Sequence, residues 1–190
     1  SLAGGVPFIV QAVFPQQAAP TLGRATPGFV CEWLRHFIAN KSFRITPLNE
    51  VLYGMTKESL PERIETSRLI LRKPTLEDIE PIYTRYASDP TVTKYMSWPT
   101  HNIMETTEQV VVAWIEQWRD NQRGGPYIIE ANASLIGCTG FEKQDANIVS
   151  TGYVLAREYW GKGFATEALS AIVDIAIAAG TQRLYAYCHH

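Results

Sequence analysis

The stretch from Tyr153 to Leu169 limits most what this chain can fold into. A strand-like run delivers the chain to Gly161-Lys162-Gly163, and a helical pattern opens at once at Phe164. The start of a helix exposes N–H groups with no carbonyl partner inside the helix, and it carries the positive end of the helix dipole. Glycine has no Cβ, so its backbone can approach an anion closely. Strand, glycine turn and helix in this order suit a phosphate or diphosphate. Two nucleotide loops fail on their letters. The phosphate loop Gly-x-x-x-x-Gly-Lys-Ser/Thr does not fit Gly161-Lys162-Gly163, and the dinucleotide pattern Gly-x-Gly-x-x-Gly meets Thr166 at its sixth place. A Gly-x-Gly turn taken alone is equally compatible with a plain tight connection between strand and helix.

The flanking periodicities supply the layers. Arg68–Arg72 reads as a short strand closed by Pro74. Thr75 then caps a helix with Glu77 and Asp78 in its first turn, and Ile79, Ile82, Tyr83 and Tyr86 form its apolar stripe. Ser88-Asp89-Pro90 ends it. A second helix spans about Glu105 to Asn121, with Val110, Val111, Trp114, Ile115 and Trp118 on one face, and Gly124-Gly125-Pro126 stops it. Tyr127–Ala131 and Leu135–Phe141 read as a hairpin around Asn132-Ala133-Ser134. The polar residues Gln144–Asn147 lead to a third strand, Ile148–Leu155. A helix over Phe164–Ala179, capped by Gly180, and a last strand over Arg183–Cys188 complete the series. The expected class is α/β in the α+β sense: a mixed, mostly antiparallel sheet flanked by helices.

Composition divides the chain near residue 55. Residues 1–54 hold two acids, Glu32 and Glu50, against four bases, and five of the eleven prolines. A short helix over Phe29–Ala39 is the one element expected there. The run Met55-Thr-Lys-Glu-Ser-Leu-Pro resembles a natural protein start, so 1–54 is expected to be a leader or extension and 55–190 the functional domain. Val6–Phe14 contains Pro7 and Gln11 and follows no basic stretch, which makes it a poor signal peptide. No run has the length and apolarity of a membrane span. A net charge of −2 gives no electrostatic footprint for nucleic acid. Cys31, Cys138 and Cys188 form no Cys-x-x-Cys pair and point to a reducing, cytoplasmic setting; the four histidines show no ligand spacing, so no metal is expected.

Gly152-Tyr-Val-Leu-Ala-Arg-Glu-Tyr-Trp-Gly-Lys-Gly-Phe-Ala-Thr-Glu-Ala-Leu169 resembles the central motif of the GNAT acyltransferases. It is most similar to the branch that acetylates ribosomal-protein N-termini, typified by GYWLAREYWGKGYATEAL. Glu65-Thr-Ser-Arg-Leu-Ile-Leu-Arg72, Asp89-Pro90 and Leu135-Ile-Gly137 extend the likeness over about residues 62–188. In the family pattern Gln/Arg-x-x-Gly-x-Gly/Ala, Gly163 and Ala165 match, and Trp160 stands where Gln or Arg is usual. The resemblance implies acetyl-CoA as cosubstrate, with Gly161, Lys162, Gly163, Phe164, Ala165 and Thr166 around its diphosphate. It implies that Tyr153, Val154 and Leu155 splay from a neighbouring strand to run beside the pantetheine arm, with an N–H near Leu155 polarising the thioester carbonyl. The implied acceptor is a primary amine, on a protein N-terminus or a small molecule.

The catalytic base departs from the family. Relatives commonly hold Glu two residues before the Gly-Tyr pair, and this chain holds Ser150 there. Glu142, at the end of the preceding strand, is the substitute candidate, against its plainer reading as a solvated charge. Tyr95, Met96 and Trp98 form a candidate acceptor loop. The family's Asn-x-x-Ser helix and two closing strands would follow His190. Without them the last strand is expected to present an open edge, with association into a homo-oligomer as one outcome. A non-catalytic CoA-binding protein and an inactive fragment are the rival readings.

Overall fold

The computed structural model describes residues 8–13, 60–94, 96–120, 125–145, 148–179, 181 and 183–188. The expected helix at Phe29–Ala39 lies outside them, as do Tyr95, His36, His189 and His190. Seven strands are described: β1 (Phe8–Val13), β2 (Arg63–Glu65), β3 (Ile70–Arg72), β4 (Pro126–Ala131), β5 (Ser134–Asp145), β6 (Ile148–Leu155) and β7 (Arg183–Cys188). They form one sheet in the order β1-β7-β6-β5-β4-β3-β2. Every neighbouring pair is antiparallel except β6 and β7, which run parallel. A parallel pair needs a crossover, and the helix α4 (Phe164–Ala178) supplies it.

Between β3 and β4 the chain builds the other helices. A tight turn at Leu76–Asp78 leads into α1 (Ile79–Ile82), which widens into a π-type turn at Tyr83–Ala87. Asp78 Oδ2 accepts the Thr75 N–H at 2.7 Å, closing the first turn as the capping pattern predicts. Arg72 holds the same carboxylate through two parallel bonds of 2.8 and 2.7 Å, and its Nε reaches Glu130 at 2.9 Å. One guanidinium thereby fixes the helix start to β3 and β4. The helix stops at Ser88 as expected, and the chain restarts at once: Asp89 Oδ1 accepts the Thr91 N–H at 2.7 Å and caps α2 (Pro90–Thr93). The long helix α3 (Met104–Asp120) follows the expected span closely.

Strand alternation sorts the core onto two faces. Tyr127, Ile129, Ile136, Val149 and Leu155 join Ala168, Ile172, Val173 and Ala176 of α4. Ile128, Leu135 and Val154 join Ile82, Tyr86, Val92 and Val111 from the first three helices. The stripe expected on α3 is inward-facing, with Val111 and Trp118 buried and Val110, Trp114 and Ile115 half-buried. Each fully buried Ile or Leu contributes on the order of 1.5–3 kcal/mol, so α4 is held mainly by its apolar face.

Beyond the helix α2, and beyond β5 continuing to Asp145 through part of the expected loop because Glu142, Lys143 and Asp145 still pair with β6, two strands were not foreseen. Arg63–Glu65 forms the short edge strand β2, whose three residues give too little pattern to read. Phe8–Val13, in a segment without evident periodicity, pairs antiparallel with β7 from Phe8↔Cys188 to Val13↔Arg183. The expected open edge of β7 is therefore occupied by the chain's own N-terminal segment. The expectation failed because edge pairing depends on backbone hydrogen bonding, which side-chain pattern does not reveal.

The hairpin between β4 and β5 turns on Asn132 and Ala133, flanked by the pair Ala131↔Ser134. Both turn residues have positive φ, 50° and 58°. That is the geometry a two-residue hairpin needs, and alanine is a poor choice for it. Ala133→Gly should raise the melting temperature, with a gain of roughly 1 kcal/mol in chemical denaturation.

Candidate functional site

The site begins where β6 changes company. Along β5 it is paired throughout, from Ile148↔Asp145 to Leu155↔Gly137. Along β7 the pairing covers only Ile148↔Arg183 to Thr151↔Ala186. Among the described residues β6 has no partner in β7 from Gly152 onward, and this parting of the two described strands is the gap along which Gly152–Leu155 run. Gly137 lets β6 lie close to β5 on the other side. A Cβ on Gly137 would stand 2.1 Å from the Val154 carbonyl oxygen and 3.0 Å from Leu155 Cα.

Two hydrogen bonds fix the end of β6. The Ala156 N–H donates to the Ile136 carbonyl at 2.8 Å. The Trp160 indole Nε1–H donates to the Leu155 carbonyl at 2.8 Å. Trp160, which replaces the family's usual Gln or Arg, thus folds back over the short turn Arg157–Tyr159. The chain then passes Gly161 and Gly163, both left-handed at φ 73° and 78°, and enters α4. The Glu167 N–H donates to the Gly163 carbonyl at 3.1 Å. Helix geometry leaves the N–H groups of Phe164, Ala165 and Thr166 ahead of that bond without intrahelical partners. Around Gly161 there is open space: no heavy atom lies within 4 Å of where its Cβ would be. Gly161, Lys162, Gly163 and Thr166 are exposed, and Phe164 and Ala165 are half-buried. Lys162 Nζ stands 5.3 Å from the centre of the Tyr159 ring. The expected diphosphate residues are thus gathered in one accessible turn, next to the gap opened by Tyr153, Val154 and Leu155. These residues fit a thioester carrier with an anionic head.

The two candidate catalytic residues are neighbours. Glu142 and Ser150 are register partners across β5 and β6, so their side chains leave the same face. That face also carries the pairs Gly140↔Gly152 and Cys138↔Val154. A Cβ on Gly152 would meet no described atom within 4 Å, so this face is open at Gly152 among the described residues. Glu142 is exposed and Ser150 half-buried. Tyr153 leaves the opposite face, packs against the cluster around α4, and burial pushes its phenol pKa up. A phenol held more firmly protonated is no base. Met96 and Trp98, of the expected acceptor loop, pack against the cluster formed by the first three helices. Burial also raises the Cys138 thiol, to about 11, against a smaller lowering by Tyr86. His101 is buried with Nδ1 2.8 Å from Thr107 Oγ1. Among the described residues no group of three His, Cys, Asp or Glu is placed to hold a metal. No described helix is long and apolar enough to cross a membrane.

Arg68 and Glu167 were given no role by the sequence reading, though both lie in the motifs it singled out. Glu167 Oε1 accepts from Thr66 Oγ1 at 2.6 Å, Ser67 Oγ at 2.9 Å and the Arg68 N–H at 2.8 Å. Its Oε2 accepts from Arg68 Nε at 2.7 Å. Their spacing of 99 residues hides the contact from any local pattern.

The sequence model for the family described as "Acetyltransferase (GNAT) domain" matches residues 68–190. This chain belongs to the GNAT acetyltransferase family. A relative in Bacillus licheniformis, named "Uncharacterized N-acetyltransferase p20", is 34% identical over 116 residues, covering 60% of this chain and 65% of the relative. The chain therefore spans just under two thirds of that protein. The microcin C7 self-immunity acetyltransferase MccE, solved in complex with acetyl-CoA and AMP, superposes with a TM-score of 0.60 at 20% identity, over 70% of this chain and 77% of that one. RimL, the ribosomal L7/L12 alpha-N-protein acetyltransferase, superposes with a TM-score of 0.55 at 20% identity, over 63% of this chain and 66% of that one. The mixed sheet flanked by helices is the fold of these acetyltransferases, as the motif resemblance implied.

The Glu167 cluster gives the domain an acid dependence. Burial by itself would raise the Glu167 pKa, but hydrogen bonds from Thr66, Arg68 and Ser67 and the Arg68 backbone outweigh it and bring it to about 2. A carboxyl whose pKa is lowered on folding stabilises the fold fully above its ordinary value near 4.5, and that stability is lost as pH falls toward 2. Between these two values Glu167→Gln should show a shallower loss of stability with acid than the parent, read as denaturation midpoints across the range.

Proposed function

We propose that this domain moves an acetyl group from acetyl-CoA to a primary amine by direct attack. The observation that carries the reading is that, among the described residues, β6 pairs with β7 only as far as Thr151, in the strand that leads to the Gly161–Gly163 turn. A strand with one free edge offers main-chain groups to an extended amide-bearing arm, much as an added strand would be held. Gly152–Leu155 provide that edge for pantetheine, and the amides from Gly161 to Thr166 hold the diphosphate at the helix start. Lys162 adds a cation beside it.

The chemistry asks little more. A base takes a proton from the amine as its nitrogen attacks the thioester carbonyl carbon; the C–S bond breaks, and the departing thiolate takes up a proton from the protonated base or from water. The main-chain N–H near Leu155 serves the developing oxyanion. Glu142 serves as base, directly or through water. It reaches the open surface beside Gly152 from the neighbouring strand, and Ser150 stands where the family's usual Glu would be. The acceptor is a protein N-terminus or a small-molecule amine, delivered to the face shared by Glu142, Ser150 and Gly152. Residues 55–190 form the catalytic unit in this reading, and the segment before them contributes an edge strand. A CoA-binding protein without transfer activity is the second reading, and Ser150 is the residue that favours it.

Acetyl-CoA at saturating concentration should raise the melting temperature, and thiol release should accompany amine acetylation in a panel of peptides and small amines. Gly163→Val, forced into left-handed backbone, should abolish the thermal shift. Glu142→Gln should leave the shift intact and lower kcat roughly 10²-fold, the usual scale of a lost general base. Binding with no thiol release for any amine would favour the second reading.

A further inference from the structure

We propose that Arg68 and Glu167 are positioning residues that aim the amides of the Gly161–Gly163 turn at the cofactor's diphosphate. The inference rests on the cofactor reading given above and adds to it a mechanism of preorganisation.

A turn with glycine on both sides of one residue is conformationally loose. Backbone N–H groups bind an anion well only when they already converge, since ordering them on binding costs affinity. Something must therefore hold this turn before the ligand arrives. Arg68 Nη1 donates to the Lys162 carbonyl at 3.0 Å. A trans peptide is planar, with its C=O and N–H pointing in opposite directions. Fixing the Lys162 carbonyl toward Arg68 thus directs the Gly163 N–H the other way, away from the guanidinium. The same guanidinium lies 4.6 Å from the centre of the Phe164 ring. A Cβ on Gly163 would approach Arg68 Nη2 to 3.4 Å, so the turn and the guanidinium are closely fitted. Arg68 therefore contacts Lys162 and Phe164 and lies beside Gly163 between them.

Glu167 holds Arg68 in that pose. Its four accepted bonds tie the Thr66–Leu69 turn, between β2 and β3, to the first turn of α4. Thr66 is itself locked: its Oγ1 accepts the Leu69 N–H at 3.0 Å, and its N–H donates to the Leu69 carbonyl at 2.9 Å. The loop of contacts closes through the Glu167 N–H, which donates to the Gly163 carbonyl. A carboxylate near an anion site would ordinarily repel the ligand. Here Arg68 offsets its charge, so the clamp as a pair is neutral and the field of the helix start is preserved.

A role confined to holding β2 and β3 against α4 would lower stability and weaken every ligand alike. A role in aiming the turn would weaken only ligands that carry the diphosphate. The test compares acetyl-CoA with S-acetylpantetheine, which keeps the thioester arm and lacks the diphosphate. Dissociation constants are measured for the parent, Glu167→Gln and Arg68→Lys on the full chain. Both variants should weaken acetyl-CoA by about tenfold or more, with S-acetylpantetheine changed less than about twofold, on the scale expected for lost preorganisation. Equal weakening of the two ligands, or no weakening of acetyl-CoA, overturns the inference. A parent that fails to bind acetyl-CoA overturns the cofactor reading instead. Should Glu167→Gln not fold, Arg68→Lys decides alone, because the Arg68 side chain is 48% exposed and its charge is kept.

Discussion

The structure turns on a parting of backbones. Peptide groups inside a protein need hydrogen-bond partners, and a sheet interior normally supplies them on both sides of a strand. β6 gives up one side after Thr151 while keeping β5 to its last residue. That is tolerable only if the freed groups meet solvent, a ligand or other parts of the chain. Trp160 takes the Leu155 carbonyl, and among the described residues β7 pairs with none of Gly152–Leu155. Gly137 makes the one-sided arrangement firm, because its missing side chain lets the end of β6 press against β5. A strand held tightly on one edge and released on the other is a rigid support for an extended ligand.

The two faces of the sheet divide the work around that gap. Tyr153 and Leu155 anchor the strand into the cluster beneath α4, and Val154 anchors it into the cluster beneath the first three helices. Val154 and Leu155 are buried and Tyr153 half-buried, so the strand has little freedom to close the gap. Glu142, Ser150 and Gly152 follow the parity of Val154 and share its face, where Gly140 and Gly152 contribute no bulk. In the proposed reaction the donor enters along the gap and the acceptor from this open face. The base is then separated from the diphosphate turn by the length of the strand's free end.

The helix start is the second fixed point, and it is tied to the far side of the sheet. Arg68 and Glu167 join the β2–β3 turn to α4. Arg72, four residues on, joins β3 to Asp78 at the first helix and to Glu130 on β4. The short strand β3 and the turn before it thus carry two guanidinium anchors, one to each helical layer. This explains how three residues of strand can matter to a site built mostly on β6 and α4. At the other end of the sheet, β1 covers the outer edge of β7 and leaves the gap between β6 and β7 untouched.

Much of this was legible in the letters. The order of elements from β3 onward, the span of β6 and α4, the hairpin at Asn132-Ala133 and the glycine turn followed from periodicity and turn residues, which act over a few residues at a time. The motif around Gly152–Leu169 carried the family and, with it, the residues proposed for the cofactor. Other features required the folded chain. The splay of β6 depends on which of its residues pair with β7, and register is a property of two strands, not one. Glu142 and Ser150 become partners only through that register. The Arg68–Glu167 clamp joins residues 99 apart, and the pairing of Phe8–Val13 with β7 spans nearly the whole chain. Local pattern fixes what each segment is because propensity and burial are read out within a turn or a strand. Which distant groups meet is decided by packing, where the sheet order brings them within hydrogen-bonding reach.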